Sequence, residues 1–150
     1  MTLKTILTIN PGSTSTKVAL YTAEDAWNVE EIVSSNVKHD PDELEANPEP
    51  GDQLELRSRA VEVFLEESGN PNLNAVSGRG GLTRPLEAGS YRIDHTMKND
   101  LLSSRFGYHA SNLGALMADN LANARKIPSL IADPVGVDQF EPLARYSGHP

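Results

Sequence analysis

Two short apolar segments near the start of the chain are joined by residues that leave the backbone little choice but to turn. Thr5-Ile6-Leu7-Thr8-Ile9 is apolar and β-branched, and Asn10-Pro11-Gly12 stops it. Lys17-Val18-Ala19-Leu20-Tyr21 has the same strand character on the far side of the turn. The pair predicts an antiparallel hairpin. Such a start commits the chain to a sheet, and the later segments must extend that sheet or cover it.

Residues 31–37 supply a third strand, and residues 40–51, rich in Pro, Asp and Glu, read as loop. Asp52, with Glu55 three residues on, resembles a capping box that opens a helix. Leu54, Val61, Phe64, Leu65 and Ser68 then fall near one helical face, and Gly69 supplies the stop. Residues 73–77 form a strand candidate running into Gly78-Arg79-Gly80-Gly81. Residues 90–94 read as a short strand and residues 96–104 as a short helix. The strongest helical pattern covers residues 111–126, with Leu113, Leu116, Met117, Leu121 and Ala124 on one side and Pro128 just beyond. Ser129-Leu130-Ile131-Ala132 ends at Asp133-Pro134, as expected of a buried parallel strand. The order of the main elements is three strands, helix, strand, helix, strand. It predicts one α/β domain built on a mixed five-stranded sheet with flanking helices.

Composition narrows the function. With 21 acidic against 13 basic side chains the formal net charge is −8, which argues against nucleic-acid partners, whose phosphates call for Lys and Arg. Asp40, Asp42, Glu43, Glu45, Glu49, Asp52 and Glu55 run without an intervening cation and read as a solvated connection. The absence of cysteine excludes disulfides, thiolate metal ligands and a cysteine nucleophile, and fits a reducing cytoplasm. No apolar run approaches the ~20 residues that cross a bilayer, so no membrane partner is expected. The opening Met1-Thr2-Leu3-Lys4 leads into a strand without the features of a secretory leader.

The hairpin tip Asn10-Pro11-Gly12-Ser13-Thr14-Ser15-Thr16-Lys17 gathers backbone N–H and hydroxyl donors beside a cation. A concave donor array of this kind suits phosphate oxygens. The competing reading is a plain polar turn, for which the same residue types are chosen on conformational grounds. The spacing is not that of a Walker A loop. In Gly78-Arg79-Gly80-Gly81, position 83 is Thr rather than Gly and Arg84-Pro85 interrupts any helix, which excludes a dinucleotide fingerprint. Its glycines allow a ligand close to the backbone, and Arg79 offers a forked cation for a carboxylate; the alternative is a surface ion pair. His109-Ala110-Ser111-Asn112-Leu113-Gly114 opens the long helix, where Ser111 and Asn112 are also ordinary caps. Asp133 stands at a strand end, a position for ligand contacts or merely for a turn.

These four strings, in this order, closely resemble the acetate and butyrate kinase family, and the Pro-Gly-Ser-Thr-Ser-Thr-Lys loop is similar to its butyrate kinase branch. The resemblance implies a ribonuclease H-like lobe of the actin and hexokinase type. Residues 1–150 would form the N-terminal lobe of a two-lobed carboxylate kinase, with the C-terminal lobe absent from the chain. It implies ATP/ADP and Mg²⁺ as cofactors, and reversible transfer of the γ-phosphate to butyrate, giving butyryl phosphate and ADP. Acetate or propionate kinase chemistry, or a non-catalytic ligand-binding or interaction module, are the alternatives. Arg79, Asp133 and His109 become catalytic candidates, and Asn10, Gly12, Ser13, Thr14, Ser15 and Lys17 phosphate-holding ones, with Asn10 also reaching the metal indirectly. Gly80, Gly81, Arg84 and Asn112 are further cleft candidates, and Asp138 a weaker one. The implied partners are a short-chain carboxylate or acyl phosphate and a separate C-terminal lobe or a second copy of the chain. The expectation that carries the rest is geometric: the hairpin tip and Arg79 should face one cleft.

Overall fold

The computed structural model describes residues 3–137, 139 and 141–145, so Asp138 lies outside the described residues. Strands β1 (Lys4–Pro11) and β2 (Ser15–Ala23) form the expected antiparallel hairpin, with Asn10 opposite Lys17. β3 (Val29–Lys38) adds antiparallel to β2 and forms one edge of the sheet. β4 (Ala75–Arg79) pairs parallel with β1, and β6 (Ser129–Ala132) parallel with β4. β5 (Ser90–Arg92) pairs antiparallel with β6. The order β3-β2-β1-β4-β6-β5 therefore makes the sheet mixed but six-stranded, not five-stranded, because β5 closes the far edge.

Alternation sorts the strands by face. Leu7 and Ile9 of β1, Val18 and Leu20 of β2 and Val76 of β4 are buried in one core with Val61, Phe64, Leu65, Leu113, Leu116 and Met117 of two helices. Those helices are α2 (Gln53–Glu67) and α4 (Leu113–Arg125). Between them in sequence lies α3 (His95–Leu102), whose Leu101 packs with Ala115 and Ile131. α4 is buried on nearly every side because it contacts β4, β6 and β1 as well as α2 and α3. Ala124, expected on its apolar side, is exposed. A 3₁₀ turn (Ala110–Asn112) precedes α4, and Lys126, at φ 56°, ends it in the left-handed conformation.

Two other expectations need correction. Residues 40–51 are not all loop: Asp40 caps a short helix, α1 (Pro41–Ala46), by accepting from the Asp42 N–H, with Pro41 in the first turn. The capping box at Asp52 does not form. A 3₁₀ turn from Pro50 already places Asp52 in helical conformation, and its side chain caps nothing.

Where β4 meets α4 the two backbones touch. A Cβ on Gly78 would lie 2.3 Å from the Gly114 carbonyl oxygen, and one on Gly114 would lie 2.5 Å from the Arg79 oxygen. Both glycines of the sequence motifs are thus demanded by close approach. The contact fixes the end of β4, and with it Arg79, against the start of α4.

Candidate active site

Among the described residues the opposite face of the sheet carries no helix. Thr8, Asn10, Lys17, Ala19, Tyr21, Ser77 and Arg79 project there by the same alternation and line an open cavity of about 740 Å³. Asn10 lies near the C-terminal end of β1, Arg79 ends β4, and Asp133 follows β6 directly. These three strands are adjacent and parallel, spaced about 4.8 Å apart. Ends of parallel strands are where α/β folds place ligand contacts. Asn10, Lys17, Arg79 and Asp133 therefore line one cavity, but the hydroxyl-bearing tip expected to face it with Arg79, Ser13 to Ser15, does not.

Two cations face this space. Among the described residues neither Lys17 nor Arg79 has a carboxylate within 4.0 Å. Asp133 is held in the left-handed region at φ 39°, a conformation that Asp tolerates better than most residues. It is pinned there by two bonds to Gly89: its N–H donates to the Gly89 oxygen at 3.0 Å and its Oδ1 accepts from the Gly89 N–H at 2.9 Å. At the β3 wall of the cavity, Glu31 accepts from the Tyr21 and Ser34 hydroxyls. The Glu31 bond, with lesser help from burial and charge, raises the Tyr21 pKa above its ordinary value.

The tip itself turns the other way. Gly12 N–H closes it by donating to the Ser15 oxygen at 2.7 Å. Ser13 lines a second cleft, of about 230 Å³, with Gln53, Tyr108 and His109, while Thr14 is exposed and Ser15 half-buried. His109 Nδ1 accepts from the Ser111 N–H at 3.1 Å and lies 2.7 Å from the Ser111 hydroxyl. A neutral ring then carries its proton on Nε2. His109 thus shares space with Ser13 but not with Arg79.

The remaining candidates support the site rather than face it. Gly80 and Gly81 are buried with positive φ and pack on Ser111. Asn112 is 0% exposed, its Oδ1 accepting from the Leu82 N–H at 2.9 Å and its Nδ2 donating to the Gly107 oxygen at 3.0 Å. It is a staple between two loops, not a cleft residue. Arg84 donates to the buried Asp100 and lines a separate cavity of about 300 Å³ with Tyr91 and Met97, so it does not join Arg79.

Sequence reasoning missed the group beneath the loop. Arg57 of α2 is 0% exposed, and Nη2 donates to the Ser13 oxygen while Nη1 donates to the Ser15 oxygen and Thr16 Oγ1, each at 3.1 Å. Nε and Nη2 also donate to Gln53 Oε1. Thr16 Oγ1 lies 2.8 Å from His39 Nε2, and the His39 N–H donates to the Thr14 oxygen. Burial first, and the Arg57 charge second, lower the His39 pKa below its ordinary value. The one available signal was an Arg placed among Leu54, Val61 and Leu65 on the apolar face of a helix, four residues after Gln53.

No family model matches the chain. In sequence it is 42% identical over 146 residues to a protein described as "Probable butyrate kinase" from Enterococcus faecalis; the match covers 97% of this chain and 39% of that relative. In fold it is similar to Porphyromonas gingivalis acetate kinase (TM-score 0.53, 16% identity, 96% of this chain and 41% of that one). The acetate kinase of Entamoeba histolytica gives a TM-score of 0.50 at 14% identity, covering 98% of this chain and 39% of that one. T. thermophilus RuvC, in complex with Holliday junction substrate, gives 0.50 at 13% identity, with 88% and 65% covered. At such identities these structures speak for the fold alone, a ribonuclease H-like α/β lobe. The chain spans about two fifths of the length of the kinases it matches. Along nearly all of its own length, in sequence and in fold, this chain resembles the acetate and butyrate kinase family.

Proposed function

We propose that this chain is the N-terminal lobe of a carboxylate kinase of the butyrate kinase type, contributing one wall of a site where a phosphoryl group passes between a nucleotide and a short-chain carboxylate. The observation that carries the reading is the convergence of Asn10, Lys17, Arg79 and Asp133 on one cavity at the ends of three parallel strands, with both cations free of carboxylates among the described residues.

In the forward direction a carboxylate oxygen attacks phosphorus, the bond to the bridging oxygen of the nucleotide breaks, and ADP leaves. Arg79 binds the carboxylate or the acyl phosphate through its guanidinium fork. Lys17 and Asn10 face the transferring oxygens from the flanks of the hairpin, while the Ser13 and Thr14 donors, turned away from this cavity at the tip, serve a separate phosphate contact. Asp133, pinned to Gly89 and not within 4.0 Å of Arg79, would hold the metal ion or a water on it from across the cavity. Among the described residues no group of three His, Cys, Asp or Glu side chains could hold a metal ion. Asp133 directly and Asn10 through water then suit Mg²⁺, which is commonly held by one or two carboxylates and substrate phosphates. When bound, ATP would supply the phosphoryl group and Mg²⁺ would neutralise charge on its oxygens. The same resemblance makes acetate and propionate kinase chemistry the alternative within the class.

ATP synthesis from butyryl phosphate, ADP and Mg²⁺ tests the reading. It is measured for the chain alone and with the unspanned part of the E. faecalis relative supplied as a second polypeptide. Turnover in the paired preparation, lost in Arg79→Ala, is expected. The alternative reading is a binding module without turnover. No turnover in either preparation, together with capture of a protein partner, would establish that reading instead.

A further inference from the structure

Arg57 is fully buried, yet no carboxylate among the described residues pairs with it, although the chain carries 21 acidic side chains. Its five N–H groups are matched by five hydrogen bonds to neutral oxygens: two backbone carbonyls, one hydroxyl and the Gln53 amide twice. Burying an unpaired cation is costly, and neutral acceptors leave its field uncancelled. The acceptors it selects are the carbonyls of the hairpin tip.

Backbone planarity gives those bonds a second effect. In a trans peptide the carbonyl of one residue and the N–H of the next point in opposite directions, and no cis bond occurs among the described residues. Turning the Ser13 carbonyl down onto Arg57 therefore turns the Thr14 N–H away from it. The Thr14 carbonyl is engaged by the His39 N–H. Among the described residues the Ser13 and Thr14 N–H groups donate to no protein acceptor. The tip thus turns its Ser13 and Ser15 carbonyls onto the buried charge and leaves the Ser13 and Thr14 N–H groups without a protein acceptor among the described residues, the Thr14 N–H pointing away from Arg57. Thr16 Oγ1 accepts from Arg57 and can donate to His39 Nε2, which keeps the second side chain of this layer neutral.

We infer that Arg57 is the positioning residue of the anion-holding loop, acting through the Ser13 and Ser15 carbonyls and lending its uncompensated charge to a phosphate at the tip. The inference rests on reading that loop as a phosphate site. Arg57 touches no substrate itself, and Gln53 holds the guanidinium without neutralising it.

The test is a titration of the 150-residue chain with inorganic phosphate, followed by the amide resonances of Ser13 and Thr14. Gln53→Glu keeps an oxygen against Arg57 but pairs the cation with a carboxylate, at the loss of the Gln53 bond to the Asn47 oxygen. It should retain the unliganded loop resonances and weaken phosphate binding on the order of tenfold, as cancelling a nearby unit charge in a partly desolvated site would do. Because Gln53 lines the Ser13 cleft, a carboxylate there also repels the anion directly, so the discriminating variant is Arg57→Lys, in which a role confined to folding leaves phosphate affinity untouched. Arg57→Lys keeps the charge but cannot span both carbonyls; it should shift the free-loop resonances and weaken binding several-fold. Wild-type affinity in Arg57→Lys overturns the inference and leaves the phosphate site standing. Failure of phosphate to move the loop amides of the unsubstituted chain removes the phosphate site, and the inference with it.

Discussion

The contact between β4 and α4 allows a prediction whose size follows from distances. Gly78→Ala would place a methyl group 2.3 Å from the Gly114 oxygen, 2.5 Å from its carbonyl carbon and 2.9 Å from the Ala115 nitrogen. All three neighbours are backbone, so no side chain can swing aside; the strand and the helix must separate. Overpacking of a dense interior costs about 1–3 kcal/mol where side chains can adjust, so about 3 kcal/mol is expected here. For a chain of 150 residues that lowers the melting temperature by roughly 10 °C. Gly69→Ala meets open space but has φ +81°, so it isolates conformational strain of about 1 kcal/mol, or roughly 3 °C. Gly51→Ala has neither obstacle and should stay within about 0.5 kcal/mol of the starting chain. Thermal unfolding by circular dichroism ranks the three. If Gly78→Ala melts no lower than Gly51→Ala, the backbones do not touch, and the placement of Arg79 against α4 loses its support.

Three other substitutions separate structural from functional roles. Asn112→Ala strips donors and acceptors from the Leu82 N–H and the Gly107 oxygen in a fully buried position. It should cost about 3 kcal/mol in urea unfolding; a loss under about 1 kcal/mol would deny it the role of staple. Arg84→Ala leaves the buried Asp100 with Arg105 at 3.6 Å as its remaining cation among the described residues. A loss of about 1–2 kcal/mol with unchanged phosphate binding at the hairpin tip is expected, and a binding defect would return Arg84 to the site. His39 tests the layer beneath the loop. Its folded pKa lies below the unfolded value near 6.5, so the unfolded chain takes up the proton first as pH falls. The stability that neutral His39 contributes is full above that pH and is lost as pH drops toward the folded pKa. The urea midpoint should therefore fall more between pH 7.5 and 5.5 in the unsubstituted chain than in His39→Gln, and equal slopes would contradict the burial.

Much of this architecture is legible in short-range pattern. The β1–β2 hairpin follows from its turn residues, and β6 from four apolar residues stopped by Asp133-Pro134. Where pattern fails, a physical competitor is identifiable. α1 was hidden because Pro, Asp and Glu dominate its composition, yet Asp40 as cap and Pro41 in the first turn are helix-starting signals that outweigh composition locally. The capping box at Asp52 was spoiled from outside, by a turn that brought the residue into helical conformation too early. The place of β5 at the sheet edge depends on pairing with β6, some forty residues later in the chain, which no window of sequence contains. The site divides in the same way. Asn10, Lys17, Arg79 and Asp133 are found by motif and brought together by the fold, whereas Arg57 and His39 act through backbone carbonyls and leave no motif of their own. Asn112 and Arg84 show the converse, since residues within a motif can serve to hold it.

The sheet bears on function in a way that no single residue does. Parallel strands covered on both faces read as continuous apolar runs, because each side chain meets a hydrophobic layer. β1 and β4 do not read so. Leu7, Ile9 and Val76 point into the helices, whereas Thr8, Asn10, Ser77 and Arg79 alternate with them onto the cavity. Small polar side chains on the free face of central strands would gain little from an apolar covering layer, and hydroxyl and amide groups trapped beneath one would need partners. They suit a polar occupant that arrives with its own oxygens. The anionic ligand proposed here would meet that requirement and also answer the charges of Lys17 and Arg79, which pair with no carboxylate among the described residues although Glu31 and Asp133 line the same cavity. The alternation along β1 and β4 and the charge at the strand ends are separate features of the sequence, and both point to the same occupant.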